Sequence, residues 1–280
     1  METVFSSAQL ALAKIAPAAL VFMALAIVMK RDKVLDAVMA ARREIGTNFG
    51  LFLINAAVLV PLVTVPLLAF QEALPRLPGL ADVWAAVPAV LVALAALLVM
   101  EFSAYWRHRW EHSPQLWRVH ATHHADEAMN WLTLHRKHPL GELLSLIIDL
   151  IPALLLGLPV WAIMTMAVLR SWWGYFIHAD VPWTLGVFGK MLISPAAHRL
   201  HHIRDETLMG SNYGNTITLW DRLFGTYIDP APYVNCKTGI AEGTRDLGGE
   251  LLRPFEARYW RKSGGNAGGE AVIAPTQNTP

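Results

Sequence analysis

Three stretches of this chain, from about Leu10 to Met29, Phe49 to Phe70 and Val83 to Phe102, are mainly apolar over the roughly 20 residues a helix needs to cross a bilayer core. Hydrophobic residues make up 54% of the 280 and charged residues only 16%, too apolar a balance for most soluble domains of this length. A further block, Leu140 to Ile177, is too long for one ordinary span. The Leu156-Gly157-Leu158-Pro159 break divides it into two marginal helices, which reads as a hairpin that enters and leaves the membrane. The expected fold is an all-α integral membrane protein with about four to five transmembrane helices and a cytoplasmic helical cap. Pro61 and Pro66 are expected to kink the second span.

Charge sets the expected topology. Lys30, Arg31, Lys33, Arg42 and Arg43 lie between the first two spans, whereas Gln71 to Asp82 holds one Arg against two acids. The positive-inside rule places residues 30–45 in the cytoplasm, a bacterial inner membrane being favoured over an endoplasmic reticulum. The third span then runs inward and the hairpin returns at His178, so residues 106–139 and 182–230 share the cytoplasmic face. Glu2 and the lack of a basic run before the first apolar segment argue against a removed signal peptide. The chain divides into N-terminal membrane helices (1–94), a central unit (95–230) and a C-terminal segment (231–280). The last segment turns rich in Gly, Ala, Asn and Pro and is expected to be disordered from about 263. Cys236 is the only cysteine, which excludes an intramolecular disulfide and a CxxC site. A net charge of +1 gives no footprint for nucleic acid.

All eleven histidines fall between His108 and His202, and eight form three clusters: His108 and His112; His120, His123 and His124; His198, His201 and His202. A helix stacks residues three and four apart on one face, so HxxxH offers two imidazoles side by side and each HxxHH three. Any one histidine is more often solvated or hydrogen-bonded than a ligand, but core packing has no reason to repeat HxxHH. Imidazole is the commonest protein ligand for transition metals. Eight is too many for one ion, since zinc sites close with three or four protein ligands. Shared between two ions, eight or nine give four or five each, a histidine-rich di-metal site. Nitrogen ligands suit iron, zinc, copper and nickel alike, but a redox pair at the mouth of a helical bundle, open to O2 and to an apolar substrate, favours iron.

The runs His108-Arg109-Trp110-Glu111-His112, His120-Ala121-Thr122-His123-His124 and His198-Arg199-Leu200-His201-His202 resemble the three histidine boxes of the fatty acid hydroxylase and sterol desaturase superfamily. The likeness extends to Asn130, to Arg136-Lys137-His138-Pro139-Leu140, to Asn212-Tyr213-Gly214 and to the run Trp220 to Thr226, covering about residues 95–230. Within the superfamily it is similar to bacterial sterol-desaturase-like proteins and the alkylglycerol monooxygenase branch. The resemblance implies a membrane enzyme that uses a di-iron centre, O2 and external reducing equivalents to hydroxylate or desaturate a lipid: a fatty acyl chain, a sterol or an ether lipid. It makes the eight box histidines metal ligands and adds His178 as a ninth, because some members carry an extra histidine ahead of the last box. Members with HxxxH there have His where this chain has Gly174. His135 and His138 stay outside the ligand set, His138 standing before Pro139 at an expected helix start.

Metal-bound imidazoles commonly donate their other N–H to a carboxylate, so Glu101, Glu111, Asp126, Asp180 and Asp221 are candidates to steady the ligands. Asp149 and Arg170, the charges well inside the hairpin, are expected to pair with each other. The chain shows neither a GxGxxG fingerprint nor a cytochrome-like haem segment. Electrons are therefore expected from a separate reductase, ferredoxin or cytochrome, or from a small reductant. The rival reading from another class is a non-enzymatic metal transporter or haem-binding membrane subunit.

Overall fold

The computed structural model describes residues 2–73 and 79–259; the expected disorder from about 263 lies outside them. Among the described residues the chain is helical, its only β-type pairings being the bridges Leu192–Ile217 and Ile203–Thr238. Helix α1 (Glu2–Lys30) meets a short 3-10 turn at Arg31–Lys33, where Arg31 takes a φ of 51°. The chain then runs through α2 (Val34–Ile54), a π turn (Asn55–Leu59) and α3 (Val60–Ala73).

Residues 34–48, between the first two apolar stretches, are helix. Leu, Ala, Met, Arg and Glu are good helix formers, and the segment's inner side docks through buried Glu44, Thr47 and Asn48. The expected break near Pro61 takes the form of the π turn just before it, a wider turn suited to a following residue that has no N–H to donate.

The third span starts later and ends later than its composition implied. Pro88 separates α4 (Leu80–Ala86) from α5 (Ala89–Glu111), serving as N-cap of the latter. Helix α5 continues nine residues beyond Phe102 and carries His108 on its last turn. On α5, Val92, Ala96 and Met100 form one buried stripe at four-residue spacing. They pack against Ala153, Leu158, Ala162, Ile163 and Met166 of the hairpin. The opposite side of α5 exposes Val90, Leu91, Leu94, Leu98 and Phe102, an apolar surface facing outward. Two stretches, Phe5–Val63 and Ala89–Glu111, are long and apolar enough to cross a membrane by length and composition.

The hairpin comprises α7 (Pro139–Ile148), α8 (Ile151–Leu155) and α9 (Val160–His178), and it turns where the Leu-Gly-Leu-Pro break stands, Gly157 taking a φ of 62°. A second break at Asp149–Leu150 separates α7 from α8. The expected Asp149–Arg170 pair does not form. Arg107 on α5 takes Asp149 with Nε–Oδ1 at 2.6 Å, and Arg170 takes Glu101 with Nε–Oε1 at 2.6 Å. Both hairpin charges therefore turn toward α5 rather than toward each other.

Arg136, fully buried, ties the three parts of the chain together. Its Nε donates to the Thr122 carbonyl, Nη1 to Glu44 and Asn48, and Nη2 to Thr244 and Glu250. Glu250 lies on α12 (Leu247–Leu252), so the C-terminal segment packs onto the same hub as α2.

Candidate metal centre

Four elements deliver histidines to one place. Helix α5 carries His108 and is capped by His112, after which Ser113-Pro114 turns the chain into α6 (Trp117–His124) with His120, His123 and His124. Helix α9 ends on His178. Ser194 caps α10 (Pro195–His201) by accepting from the Ala197 N–H, Pro195 fills the first turn, and His198, His201 and the C-cap His202 follow. All nine that the sequence singled out are brought together.

Their ligand-capable nitrogens fall into two groups, each within 4.8 Å: His108, His112, His120, His124 and His201 in one, His123, His178, His198 and His202 in the other. Each HxxHH run is split between the groups. His120 and His124, four apart on α6, sit with His201 of α10, while His198 and His202, four apart on α10, sit with His123 of α6. The rings of His124 and His202 stack across the divide with centroids 4.4 Å apart.

Hydrogen bonds fix the tautomers in the first group. A carbonyl only accepts, so His108 Nδ1–H donates to the Tyr213 oxygen at 2.8 Å and His201 Nδ1–H to the Ser211 oxygen at 2.7 Å. Their Nε2 atoms then face each other, lone pair to lone pair, at 2.9 Å. His120 Nδ1 lies 3.3 Å from the Glu111 carboxylate, and its Nε2 is 3.1 Å from His124 Nε2. Burial, reinforced by the neighbouring rings, pushes His112, His120, His124 and His202 well below the ordinary imidazole value, and burial brings His201 down to about 4. A proton bridging these nitrogens at neutral pH is therefore disfavoured. Six buried ring nitrogens, on His112, His123, His124, His198 and both of His202, have no hydrogen-bond partner. Opposed lone pairs and orphaned nitrogens are costly in a dry interior and are relieved by cations that accept them. The donor set fits two ions of a nitrogen-preferring transition metal.

Of the five acids considered, one touches an imidazole. Glu111 bridges His120 and Arg107, whose Nη1 lies 2.6 Å from it. Glu101 instead holds Arg170 and the backbone N–H groups of Thr216 and Ile217. Asp126 accepts from Asn48, Thr133 and the Ala128 N–H, and the half-exposed Asp180 pairs with Lys30 and Arg199. Asp221 acts one bond further out: it accepts from the N–H groups of Tyr213 and Gly214 at 2.7 and 2.8 Å and from Thr226. It thereby holds the loop whose Tyr213 carbonyl orients His108. Replacing Glu111 by Gln is expected to weaken metal retention against a chelator by roughly 10–100-fold with the fold intact, read by metal content across a chelator series.

The sequence motifs beyond the boxes belong to this loop. Asn212 adopts a φ of 51°, a conformation asparagine tolerates, and its side chain exchanges hydrogen bonds with Ile228. A Cβ on Gly214 would stand 2.6 Å from the Ile217 oxygen and 2.9 Å from Asp221 Oδ2. Gly214→Ala is expected to shift the Tyr213 carbonyl and lower activity by roughly 10–100-fold, measured as turnover alongside metal content. A Cβ on Gly174 would stand 2.9 Å from Leu134 Cδ1, which would have to shift, and the Gly174 carbonyl takes His178 Nδ1 at 2.6 Å. These backbone acceptors, and Arg107, were not singled out from the sequence, since loop carbonyls leave no residue-type signal. The two remaining histidines have other partners: His135 Nε2 meets the Tyr175 hydroxyl at 2.9 Å, and His138 caps α7, Nδ1 accepting from the Leu140 N–H.

A cavity of about 350 Å³ opens beside both groups, bordered by His108, His120, His123, His178 and His198. The region from α5 to α11 (Leu219–Leu223) that builds this centre, residues 93–226, matches the fatty acid hydroxylase family profile. That match takes in just under half of the chain. The chain is 26% identical over 198 residues to the ornithine lipid hydroxylase OlsE of Rhizobium tropici, covering 70% of this chain and 59% of that protein. It is 33% identical over 135 residues to the alkylglycerol monooxygenase of Homo sapiens, covering 48% of this chain and 30% of the relative. A Delta(7)-sterol 5(6)-desaturase of Eremothecium gossypii is 32% identical over 142 residues, with 50% and 38% covered. The chain thus spans less than two thirds of the length of each. No solved structure matches. The matched region contains all nine clustered histidines, the hairpin and the loop that orients His108.

Proposed function

We propose that this chain is a membrane-bound oxidoreductase that hydroxylates or desaturates a lipid at an unactivated C–H bond, using O2 and external electrons. His108, His112, His120, His124 and His201 would hold one iron, and His123, His178, His198 and His202 the other. The observation that carries the reading is the 2.9 Å approach of His108 and His201 through nitrogens whose tautomers leave both as acceptors, inside the region that matches the hydroxylase profile. Bound iron supplies the redox chemistry of O2 activation and C–H oxidation, which zinc does not. In hydroxylation one oxygen atom enters the C–H bond and the other leaves as water, with two electrons and two protons from a donor.

The protein's part is geometric. The Ser211, Tyr213 and Gly174 carbonyls and Glu111 aim the ring nitrogens inward, and the surrounding burial keeps the rings neutral and ready to coordinate. The cavity alongside admits the substrate, and the apolar outer sides of α5 and α9 suit a lipid bilayer. The basic residues around the α1–α2 turn support a cytoplasmic setting for that turn, and with it for the metal centre, at an inner membrane. The electron donor is a separate reductase, ferredoxin or cytochrome, or a small reductant. The haem reading fares worse, because rings packed with centroids 4.4–5.5 Å apart leave no slot for a macrocycle. Lipid extracts from cells expressing the chain or His123→Ala test the activity: an oxygenated or desaturated species present only with the unmutated chain supports it, and identical lipid profiles contradict it.

A further inference from the structure

The charged groups around the metal-facing cavity are unevenly satisfied. Three cations, Arg107, Lys137 and Arg170, and three acids, Glu111, Glu142 and Asp149, border it. Arg107 holds both Asp149 and Glu111 at 2.6 Å, and Arg170 holds Glu101 at 2.6 Å. Lys137 and Glu142 differ. Their charged atoms are 3.5 Å apart, and their side chains remain 27% and 25% exposed. The Lys137 backbone is itself anchored, its carbonyl accepting from Asn55 of the π turn at 2.9 Å. One cation and one anion therefore face the cavity with hydrogen-bonding capacity to spare.

A second cavity, about 280 Å³, is bordered by Val63, Pro66 and Phe70 of α3 and by Leu143, Leu146 and Ile147 of α7. Its lining residues are all apolar. Leu146 borders both cavities. On α7, Glu142, Ser145 and the C-cap Asp149 follow helical spacing along the first cavity, while Leu143 and Ile147, one position round, follow the second. Helix α7 is a partition with one polar and one apolar side.

Building on the oxygenase reading, we propose that the two cavities together hold one amphiphile with a zwitterionic headgroup. The head sits between Lys137 and Glu142, and its hydrocarbon passes Leu146 into the groove between α3 and α7. The C–H bond presented to the imidazoles then lies in the headgroup or beside it, not far along the chain. Hydrocarbon in the first cavity would strip water from Lys137 and Glu142 and leave them only their 3.5 Å contact. A singly charged head would match one and repel the other, and an uncharged head would answer neither in full. A head carrying both a cation and an anion replaces a loose 3.5 Å contact with two charge-assisted ones.

Two readouts on the full-length, detergent-solubilised chain test this. Native mass spectrometry with dioctanoyl phosphatidylethanolamine, phosphatidylglycerol and diacylglycerol is expected to show the zwitterion retained about tenfold more tightly than either other lipid. Lys137→Gln with Glu142→Gln should erase that preference, and Leu146→Trp, which plugs the passage, should weaken all diacyl lipids while leaving metal content unchanged. Equal retention of the three lipids by the unmutated chain overturns the inference. Tandem mass spectrometry of the oxidised lipid then locates the new oxygen or double bond. Its presence in or next to the headgroup supports the inference. Its presence in the middle or at the end of an acyl chain overturns the inference and leaves the oxygenase reading standing. No oxidised lipid of any class overturns that reading, and this inference with it.

Discussion

Substituting His201 by Ala is expected to abolish lipid oxidation, lowering turnover by more than about a hundredfold, and to cost the first histidine group its ion. His201 is buried, its Nδ1 is committed to the Ser211 carbonyl, and its Nε2 stands opposite that of His108. Metal-stripped protein should respond differently from loaded protein. Without a cation the opposed nitrogens repel, so loading should stabilise the unmutated chain by about 2.7 kcal/mol for an ion at a hundredfold over its dissociation constant. In His201→Ala that gain should shrink to the contribution of the other group. Thermal unfolding with and without metal, in both proteins, reads the difference. An equal metal-dependent shift in the two would mean that His201 holds no ion.

Arg136→Met is expected to destabilise the protein by about 3–5 kcal/mol, because it leaves Glu44 and Glu250 buried without their partner. Arg136→Lys should rescue little of this. An ammonium on a flexible stem cannot reproduce the planar fork that meets Thr122, Glu44, Asn48, Thr244 and Glu250 together. The Thr122 carbonyl lies between His120 and His123 on α6, so loss of the hub should also loosen the second histidine run. Folded yield in membranes and metal content should fall together. A lysine variant matching the unmutated chain in both would show that the five donors are not needed as a set.

The histidine set is legible in the sequence because imidazoles three and four apart share a helix face whatever the tertiary structure. Its division is not. That His123 leaves its own run to join His198 and His202 depends on how α6 meets α10. The acids show the same limit: proximity in sequence singled out five, yet only Glu111 touches a ring, one turn after Arg107 on α5. Asp149 and Arg170 looked like partners because both lie inside one hairpin, but a buried charge pairs with whichever opposite charge the packing supplies, and α5 supplied Arg107 and Glu101.

Among the described residues two stretches, Phe5–Val63 and Ala89–Glu111, are long and apolar enough to cross a membrane, and the helix ends within them followed other physics. The basic residues at 30–43 bear on topology and not on secondary structure: helix propensity and docking through Glu44 and Asn48 make residues 34–48 helix. Pro88 delayed the start of α5, and with no Gly or Pro between Phe102 and Glu111 the helix runs on to Glu111.

The central claim, that nine histidines hold two iron ions, is tested most directly by metal analysis with a visible spectrum on protein purified anaerobically with iron supplied. Two irons per chain and no Soret band are the predicted result. Zinc or no metal under the same conditions, or a Soret band, would contradict it.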